Sequence, residues 1–287
     1  MRLVSGGGGR VDAQLRDAVS GAGPVRRLIV TADDFGRSPS INAAVIQAHQ
    51  TGILTTASLM VNEPGCAEAV ALAREHPRLG VGLHLTLLCG CSALPHDAIP
   101  GLVDHDGRFT DKPVQAGWRY FFRRELRNQL QAELAAQFRK FQATGLRLDH
   151  VNGHLHLHLH PVVFQILMAH APDWGITHMR WTRDPFWLNA RLSPGRWLYR
   201  GSHALIYRIL SGRARTPLRR RAIKHTPAVF GLLQNAAVDE AYVLRLLRAL
   251  PPGDSELYSH PSLDEFKHEL DALISPRTKA LAADRNI

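Results

Sequence analysis

Two neighbouring acidic residues, followed later by histidines, are the residues of this sequence best suited to chemistry. Asp33 and Asp34 end an apolar run, and His84 lies inside another. Adjacent carboxylates at a strand end can point in different directions, so one could bind a cation while the other acts as general base on a nearby water. Acidic residues also collect in the first turn of helices, where they need no catalytic role.

A run of alternating histidine and leucine residues is the second feature. His154 to His160 hold four histidines that alternate with leucines, and His150 lies shortly before them. With the two-residue period of a strand, the four histidines would share one face at a spacing of about 6.5–7 Å. A straight strand cannot bring all four to one ion, so we expect one or two ligands. The others, among them His156 and His158, would support the ligands or contact a substrate.

One Asp and two His residues, with one or two coordination positions left open, are typical of a catalytic zinc site, and Mg²⁺ is the other divalent candidate. Such an ion polarises a carbonyl and lowers the pKa of bound water towards about 7. Arg180 could hold a carboxylate in its ionised form, and His260 could protonate a leaving group. The alternatives are an ordinary ion pair for Arg180 and an ordinary turn histidine for His260.

The apolar pattern predicts the elements that would position these residues. Apolar runs separated mostly by helical patterns favour a parallel sheet. The predicted strands cover residues 27–32, 54–61, 80–88, 147–152, 176–181, 226–230 and 256–259. We predict a single-domain α/β fold, a TIM-like (β/α) barrel that is distorted or incomplete with about seven parallel strands; an open doubly wound sheet is the alternative. In such folds functional groups gather at the carboxyl ends of the strands.

The segments between the predicted strands also carry clear patterns. Residues 39–52 and 65–76 predict helices, and residues 89–117, rich in Pro, Gly and Asp, predict a long loop. Leucine and phenylalanine at three- and four-residue spacing predict one long helix over residues 122–145.

The charge of the chain is concentrated in one segment. The 287 residues include 35 Lys+Arg and 25 Asp+Glu, for a net charge of +10, and residues 191–225 hold ten basic residues and no acidic one. Aromatic and aliphatic residues are mixed with them, so this basic insertion is expected to contact anionic lipid headgroups, with a solvated face over a buried stripe as the alternative. The segment has no recognised nucleic-acid-binding motif and the remainder is neutral, so no nucleic-acid partner is expected.

Composition also bears on the compartment. Residues 1–24 are predicted to be a disordered tail without the apolar region of a signal peptide, and no apolar run approaches the ~18–20 residues of a membrane span. Three cysteines cannot build a disulfide framework, which favours a reducing compartment; Cys89 and Cys91 are expected to pack as small apolar side chains. We therefore expect a cytoplasmic protein, with peripheral contact at the inner face of the membrane.

Several motifs, in order, resemble those of the YdjC-like carbohydrate deacetylases, and in particular their hopanoid-biosynthesis-associated branch. They include Thr31-Ala-Asp-Asp-Phe-Gly36, Gly82-Leu-His-Leu85, Leu148-Asp-His-Val-Asn152, His158-Leu-His-Pro161 and Gly253-Asp-Ser-Glu-Leu-Tyr-Ser-His-Pro261. The resemblance covers roughly residues 26–275. It implies that residues 25–287 form a metal-dependent deacetylase domain with a TIM-like barrel, a hydrolase of the amide C–N bond of N-acetylated amino sugars. Asn152, where the wider family commonly has Asp, favours the hopanoid branch.

The resemblance also implies a role for each candidate residue. Asp33 is similar to the catalytic base, Arg180 to the arginine that orients it, and His260 to the general acid. The implied metal ligands are Asp34, His84 and His154, with His156 as the alternative to His154. His156, His158 and Asn152 would support the ligands or contact the substrate. Residues 181–184 differ from the family's more typical, Glu-containing stretch, so the contacts of Arg180 are left open.

The substrate implied by that branch is an N-acetylglucosaminyl hopanoid, a sugar on a rigid triterpenoid lipid. Two alternatives remain from the sequence. The same chemistry could act on a soluble chito-oligosaccharide, or the chain could be a basic nucleic-acid-binding protein whose histidines are incidental. The oligomeric state is open.

Overall fold

A curled parallel sheet forms the centre of the computed structural model, which describes residues 25–287; the tail predicted for residues 1–24 lies outside the described residues. The strands are β1 (Arg26–Phe35), β2 (Thr56–Leu59), β3 (Gly80–Leu85), β4 (Val151–Gly153), β5 (Ala228–Phe230) and β6 (Gly253–Ser259). They lie in the order β4-β3-β2-β1-β6-β5, and every pair is parallel. The predicted distorted, incomplete TIM-like barrel is confirmed.

Helices connect the strands and cover the outside of the sheet. They are α1 (Pro39–Thr51), α2 (Cys66–Glu75), α3 (Pro113–Phe122), α4 (Leu126–Ala143), α5 (Pro161–His170), α6 (Phe186–Leu192), α7 (Trp197–Arg220), α8 (Glu240–Ala249), α9 (Lys267–Ile274) and α10 (Pro276–Asp284). The start of α1 follows local chemistry, because the Ser38 hydroxyl accepts from the Ile41 N–H and Pro39 occupies the first turn. No helix in the described part of the chain is both long and apolar enough to span a bilayer.

The segment predicted as the fifth strand, residues 176–181, forms isolated bridges instead of a strand. Met179 bridges Val151 of β4, and His178 bridges Lys224 just before β5. The Val229 N–H also donates to the Arg183 carbonyl. The segment therefore runs between the two outer strands of the sheet and curls it, which leaves too few regular partners on either side for a continuous ladder.

The predicted long helix is two helices, and the preceding loop is shorter than expected. The chain turns at residues 123–125, where Arg123 has an extended ψ of 93°, and α3 begins at Pro113, inside the predicted loop. The turn lets each helix bury its own stripe. Tyr120 of α3 donates to the Leu87 carbonyl, and Leu126 of α4 is buried in the main core.

The apolar core lies outside the sheet, between the strands and the helices. On β6, Leu257 packs in a cluster with Phe230 and Leu246. Its neighbours Glu256 and Tyr258 therefore point to the other face, the inside of the barrel, because side chains alternate along a strand. This alternation brings polar side chains from several strands together inside the barrel.

Candidate active site around a metal centre

A bulge at the end of β1 separates the two acidic residues. Ala32 pairs with Ala57 and Phe35 with Leu59, so β1 holds one more residue than β2 between these pairs. Asp34 takes a φ of 64°, a left-handed conformation that Asp tolerates better than most residues. The two carboxylates point in different directions, as predicted, but the bulge produces this and not simple alternation.

Asp34, His84 and His154 converge on one point. The Asp34 Oδ1 atom lies 2.9 Å from His154 Nδ1 and 3.2 Å from His84 Nε2. All three side chains are buried, and their ligand atoms lie within 4.8 Å of one another. Tetrahedral zinc with bonds of ~2.0–2.2 Å places neighbouring ligand atoms about 3.3 Å apart. The geometry and the donor set therefore fit a divalent metal ion.

The charge of Asp34 suits such a ligand. Burial opposes ionisation of its carboxyl group, but His154 and then His84 hold the pKa of Asp34 well below its usual range. Its second oxygen accepts a hydrogen bond from Arg37. The carboxylate is therefore ionised, as metal binding requires.

Asn152 sets the tautomer of His84. The Asn152 Nδ2 group donates one hydrogen to Asp33 Oδ1 at 3.1 Å and the other to Ser58 Oγ at 2.8 Å. The Oδ1 atom of the same amide lies 2.7 Å from His84 Nδ1, so the imidazole must carry its hydrogen there. In the form of His84 that can bind an ion, the lone pair would therefore be on Nε2, the atom that faces Asp34.

Asp33 faces a buried arginine. Arg180 donates from Nη1 to Asp33 Oδ2 at 2.6 Å, from Nη2 to Oδ1 at 2.9 Å, and from Nε to Glu256 Oε1 at 2.7 Å. Burial raises the pKa of Asp33, but the charges of Arg180 and then His84 outweigh it and hold this pKa well below its usual range. The ring of Tyr258 lies 4.5 Å from the guanidinium carbon.

The prediction that four alternating histidines share one strand face is wrong. Residues His154–Leu159 form 3₁₀ turns with left-handed Leu155 and His156, at φ 50° and 56°. The chain turns here between the end of β4 at Gly153 and the start of α5 at Pro161, with only seven residues between them.

The turn sends each histidine to a different partner. His156 Nε2 lies 2.9 Å from the Tyr258 hydroxyl, and His158 Nε2 donates to the Arg180 carbonyl at 3.0 Å. His160 Nε2 donates to the Gly117 carbonyl at 3.1 Å. Of these four histidines, only His154 contacts Asp34. His158 is fully buried, so it can support Arg180 but cannot contact a substrate.

A cavity of about 400 Å³ lies over these groups. Its wall includes Asp33, His84, His154, His156 and His260. His260 follows β6, and its backbone N–H donates to Glu269 Oε2 at 2.6 Å while its Nδ1 lies 3.9 Å from the same oxygen. The structure therefore brings Asp33, His260 and the predicted ligands together at the carboxyl end of the strands, and Arg180 contacts Asp33 from inside the barrel.

Three site residues were not predicted from the sequence. Glu256 and Tyr258 contact Arg180, and Ser58 contacts Asn152. For Glu256 and Tyr258 a signal was present, because they precede His260 at two-residue intervals and therefore share its strand face. Ser58 carries no comparable signal.

A family model described as YdjC-like protein matches residues 27–284. The chain belongs to the YdjC-like family. Among curated relatives, a carbohydrate deacetylase of Brevibacillus brevis is 41% identical over 153 residues, 52% of this chain and 57% of that protein. A chitooligosaccharide deacetylase of Serratia marcescens is 36% identical over 151 residues, 52% of this chain and 57% of that protein. The matches thus span little more than half the length of these relatives.

One solved structure supports the fold of this YdjC-like chain. The crystal structure of a "putative cellobiose-phosphate cleavage protein" from Enterococcus faecalis superposes with a TM-score of 0.66 and 22% identity. The superposition covers 92% of this chain and 96% of that one. At this identity the likeness concerns the barrel alone.

Proposed function

We propose that this YdjC-like chain is a metal-dependent N-deacetylase that removes the acetyl group from an N-acetylglucosaminyl hopanoid. The observation that carries the proposal is the position of the Asp34, His84 and His154 triad under a cavity with an apolar outer rim. The relatives named as deacetylases support the reaction, and the motif resemblance supports the hopanoid branch.

The side chains of the site divide the work of amide hydrolysis. A divalent ion, with Zn²⁺ or Mg²⁺ as candidates, held by Asp34, His84 and His154 would supply a Lewis acid and lower the pKa of a water. Asp33, kept ionised and oriented by Arg180, accepts the proton of the attacking water. His260 donates a proton to the departing sugar nitrogen. A C–O bond forms, the amide C–N bond breaks, and acetate and a free amine leave.

The rim of the cavity favours a glycolipid over a purely polar sugar. Val114 of α3 and Ile206 of α7 line the cavity and are 72% and 50% exposed. Trp118 and Phe121 extend the apolar surface along α3, and an apolar cleft of about 330 Å³ joins them to Val114. Exposed apolar surface of this kind marks ligand or membrane contacts. A triterpenoid would cover it, whereas the hydroxyl groups of a chito-oligosaccharide would not.

The basic segment provides the matching charge for a membrane. Most of residues 191–225 form α7, and the basic side chains of the segment are exposed except Arg200, which is buried and donates to the Leu233 carbonyl. Exposed Leu205 and Ile209 lie among them on α7. Cations beside apolar side chains suit an anionic lipid surface. Peripheral contact at the inner face of the membrane would bring the cavity to a bilayer-held substrate.

The direct test is to incubate the metal-loaded protein with N-acetylglucosaminyl bacteriohopanetetrol and to measure the loss of one acetyl group by mass spectrometry. The matched control is Asp33→Asn, which keeps the shape of the base and removes its basicity. We expect this variant to release no acetate while its metal content stays near that of the parent. Full activity of Asp33→Asn, or an unchanged glycolipid with the parent, would overturn the proposal.

A second candidate substrate is a soluble chito-oligosaccharide. It is favoured by the relative from Serratia marcescens, which is named as a chitooligosaccharide deacetylase. Turnover of diacetylchitobiose equal to that of the glycolipid would favour this candidate.

A further inference from the structure

Helix α7 presents one stripe of side chains to the cavity over the metal centre. Tyr199, His203, Ile206 and Tyr207 follow one another at helical spacing, which places them on one face of α7. All four line the cavity. The proposed reaction uses none of their polar groups, so the stripe is free to recognise the substrate.

Hydrogen bonds to backbone carbonyls hold this stripe over the cavity. The Tyr199 hydroxyl donates to the Leu232 carbonyl at 3.3 Å, and the Tyr207 hydroxyl donates to the Leu155 carbonyl at 3.1 Å. A tyrosine hydroxyl has a single hydrogen. Both hydrogens are therefore committed to the protein, and the two tyrosines have no hydrogen left to donate to a ligand.

His203 lies between the two tyrosines, and one of its ring nitrogens is available to a ligand. Its Nδ1 atom lies 2.9 Å from the Tyr199 carbonyl oxygen, which can only accept, so Nδ1 carries a hydrogen. The imidazole also stacks on the Tyr199 ring, with the ring centroids 3.9 Å apart. Because Nδ1 is turned back to the helix backbone, Nε2 is on the far edge of the ring, and it forms no hydrogen bond with any residue from 25 to 287.

The wall of the cavity beyond the catalytic residues offers few polar contacts to a sugar. Asn235 is exposed, whereas His203 is partly buried. The apolar part of the wall consists of Pro113, Val114, Leu155, Leu157, Ile206 and Leu232. A sugar hydroxyl that leaves water for such a wall needs a new hydrogen-bond partner. His203 Nε2 can be this partner, because a hydroxyl group donates to a neutral imidazole and accepts from a charged one.

We propose that His203 is a specificity-determining residue whose Nε2 atom hydrogen-bonds a hydroxyl group of the amino sugar, while Tyr199 holds the imidazole in place for this contact. The inference rests on the proposed deacetylase function and extends it from the acetamide group to the sugar ring. A site built to hydrogen-bond a hydroxyl group rejects the analogue that lacks it, because the polar group of the site is then left without a partner.

The test combines a change in the protein with a change in the substrate. His203→Phe keeps an aromatic ring against Tyr199 and removes both nitrogens. The substrates are the candidate that the parent turns over faster, the N-acetylglucosaminyl glycolipid or diacetylchitobiose, and its analogues that each lack one hydroxyl of the acetylated sugar. In the parent we expect kcat/KM to fall about tenfold for one analogue, the effect of one lost hydrogen bond.

The two changes should not add. His203→Phe should lose about tenfold in kcat/KM on the complete substrate, through a higher KM with little change in kcat. On the analogue that the parent rejects, the same variant should lose little more, because the contact is already absent. His203→Gln, whose side-chain amide reaches close to the position of Nε2, should keep part of the discrimination.

The matched control is His178→Phe, the same replacement at an exposed histidine that does not line this cavity. It should change kcat/KM by less than about twofold on every substrate. Parental discrimination among the analogues in His203→Phe would overturn the inference, as would an equal loss in the control. A parent that deacetylates neither the glycolipid nor diacetylchitobiose would overturn the proposed function, and this inference with it.

Discussion

At the scale of single residues, Arg180 is the buried cation that pairs with the acidic side chains of the site. It is buried with two carboxylates, Asp33 and Glu256, both within hydrogen-bonding distance. Such a buried cation stays fixed between its two anions, because each of these charges is costly to bury without a partner. Glu256 also accepts a hydrogen bond from Arg180, so the guanidinium is shared between the two carboxylates.

Arg180→Met should therefore destabilise the fold strongly, because it leaves two buried carboxylates without their cation. Breaking a buried pair in this way costs roughly 3–5 kcal/mol. Urea unfolding of the metal-free protein would measure it, and adding Asp33→Asn and Glu256→Gln should recover part of the loss. An equal loss in the triple variant would show that packing, not charge, accounts for the effect.

His158 should make stability depend on pH. Burial lowers the pKa of His158 to about 3, whereas an unfolded histidine titrates near 6.5. Between these values the unfolded chain binds a proton that the folded chain does not, so the contribution is present above pH 6.5 and is lost as pH falls. His158→Gln keeps a donor for the Arg180 carbonyl and removes the titration.

The measurement for His158 is the free energy of unfolding at several pH values below 6.5. The parent should lose about 1.4 kcal/mol per pH unit relative to His158→Gln. Parallel curves for the two proteins would contradict a neutral, buried His158.

In the proposed reaction His260 protonates the departing nitrogen, so the effect of removing its side chain should depend on the leaving group. His260→Ala should lower turnover of the N-acetyl sugar by about 10²–10⁴-fold, the usual contribution of a general acid. Turnover of an activated aryl acetate, whose leaving group needs no proton, should fall much less in this variant. Equal losses on both substrates, measured as kcat/KM, would contradict the assignment.

At the scale of secondary-structure elements, local chemistry accounts for most of what the sequence predicted. The run at residues 27–32 became β1, and Ser38 and Pro39 started α1 as expected. The His-rich run was mispredicted because the alternating pattern of a strand is also compatible with two short turns. Whether a strand or the two turns form depends on where α5 starts relative to the end of β4. The packing of the whole barrel sets that position.

Placing the predicted site residues together was possible because parallel strands share one carboxyl end. Their individual contacts were not predictable, since they depend on which strands are neighbours: β6 lies beside β1 although it is last in sequence. Glu256 therefore reaches Arg180 through an arrangement that no local pattern records.

The apolar face of α3 gives a prediction about substrate binding. Replacing Trp118 and Phe121 by serine should raise KM for the glycolipid tenfold or more, since each apolar side chain contributes about 1.5–3 kcal/mol when covered. Turnover of diacetylchitobiose should stay near that of the parent. The control is Val25→Ser, because Val25 is an exposed apolar residue before β1, at the other end of the barrel. The same KM for the glycolipid in the parent, the double variant and the control would count against a role of the apolar rim.

At the scale of the whole molecule, charge is distributed unevenly over an otherwise neutral chain. Outside residues 191–225 the sequence holds 25 basic and 25 acidic residues. Electrostatic attraction to an anionic surface would therefore orient the molecule with α7, and with it the cavity rim, towards that surface.

Neutralising Arg219, Arg220 and Arg221 with glutamine should weaken binding to anionic vesicles. Each basic residue near such a surface contributes about 1 kcal/mol, so three changes predict a loss on the order of 100-fold at low salt. Lys279→Gln on α10 is the control, and a vesicle sedimentation assay measures both. Unchanged binding of the triple variant would contradict the membrane proposal.

The segment at residues 177–183 has a consequence for how the protein behaves in a crowded solution. An open sheet exposes unpaired backbone groups at its outer strands, which can template pairing with another chain and start aggregation. Here Val151 of β4 and Val229 of β5 both hydrogen-bond to this segment. The segment therefore protects the outer strands β4 and β5 from edge-to-edge association without adding a seventh regular strand.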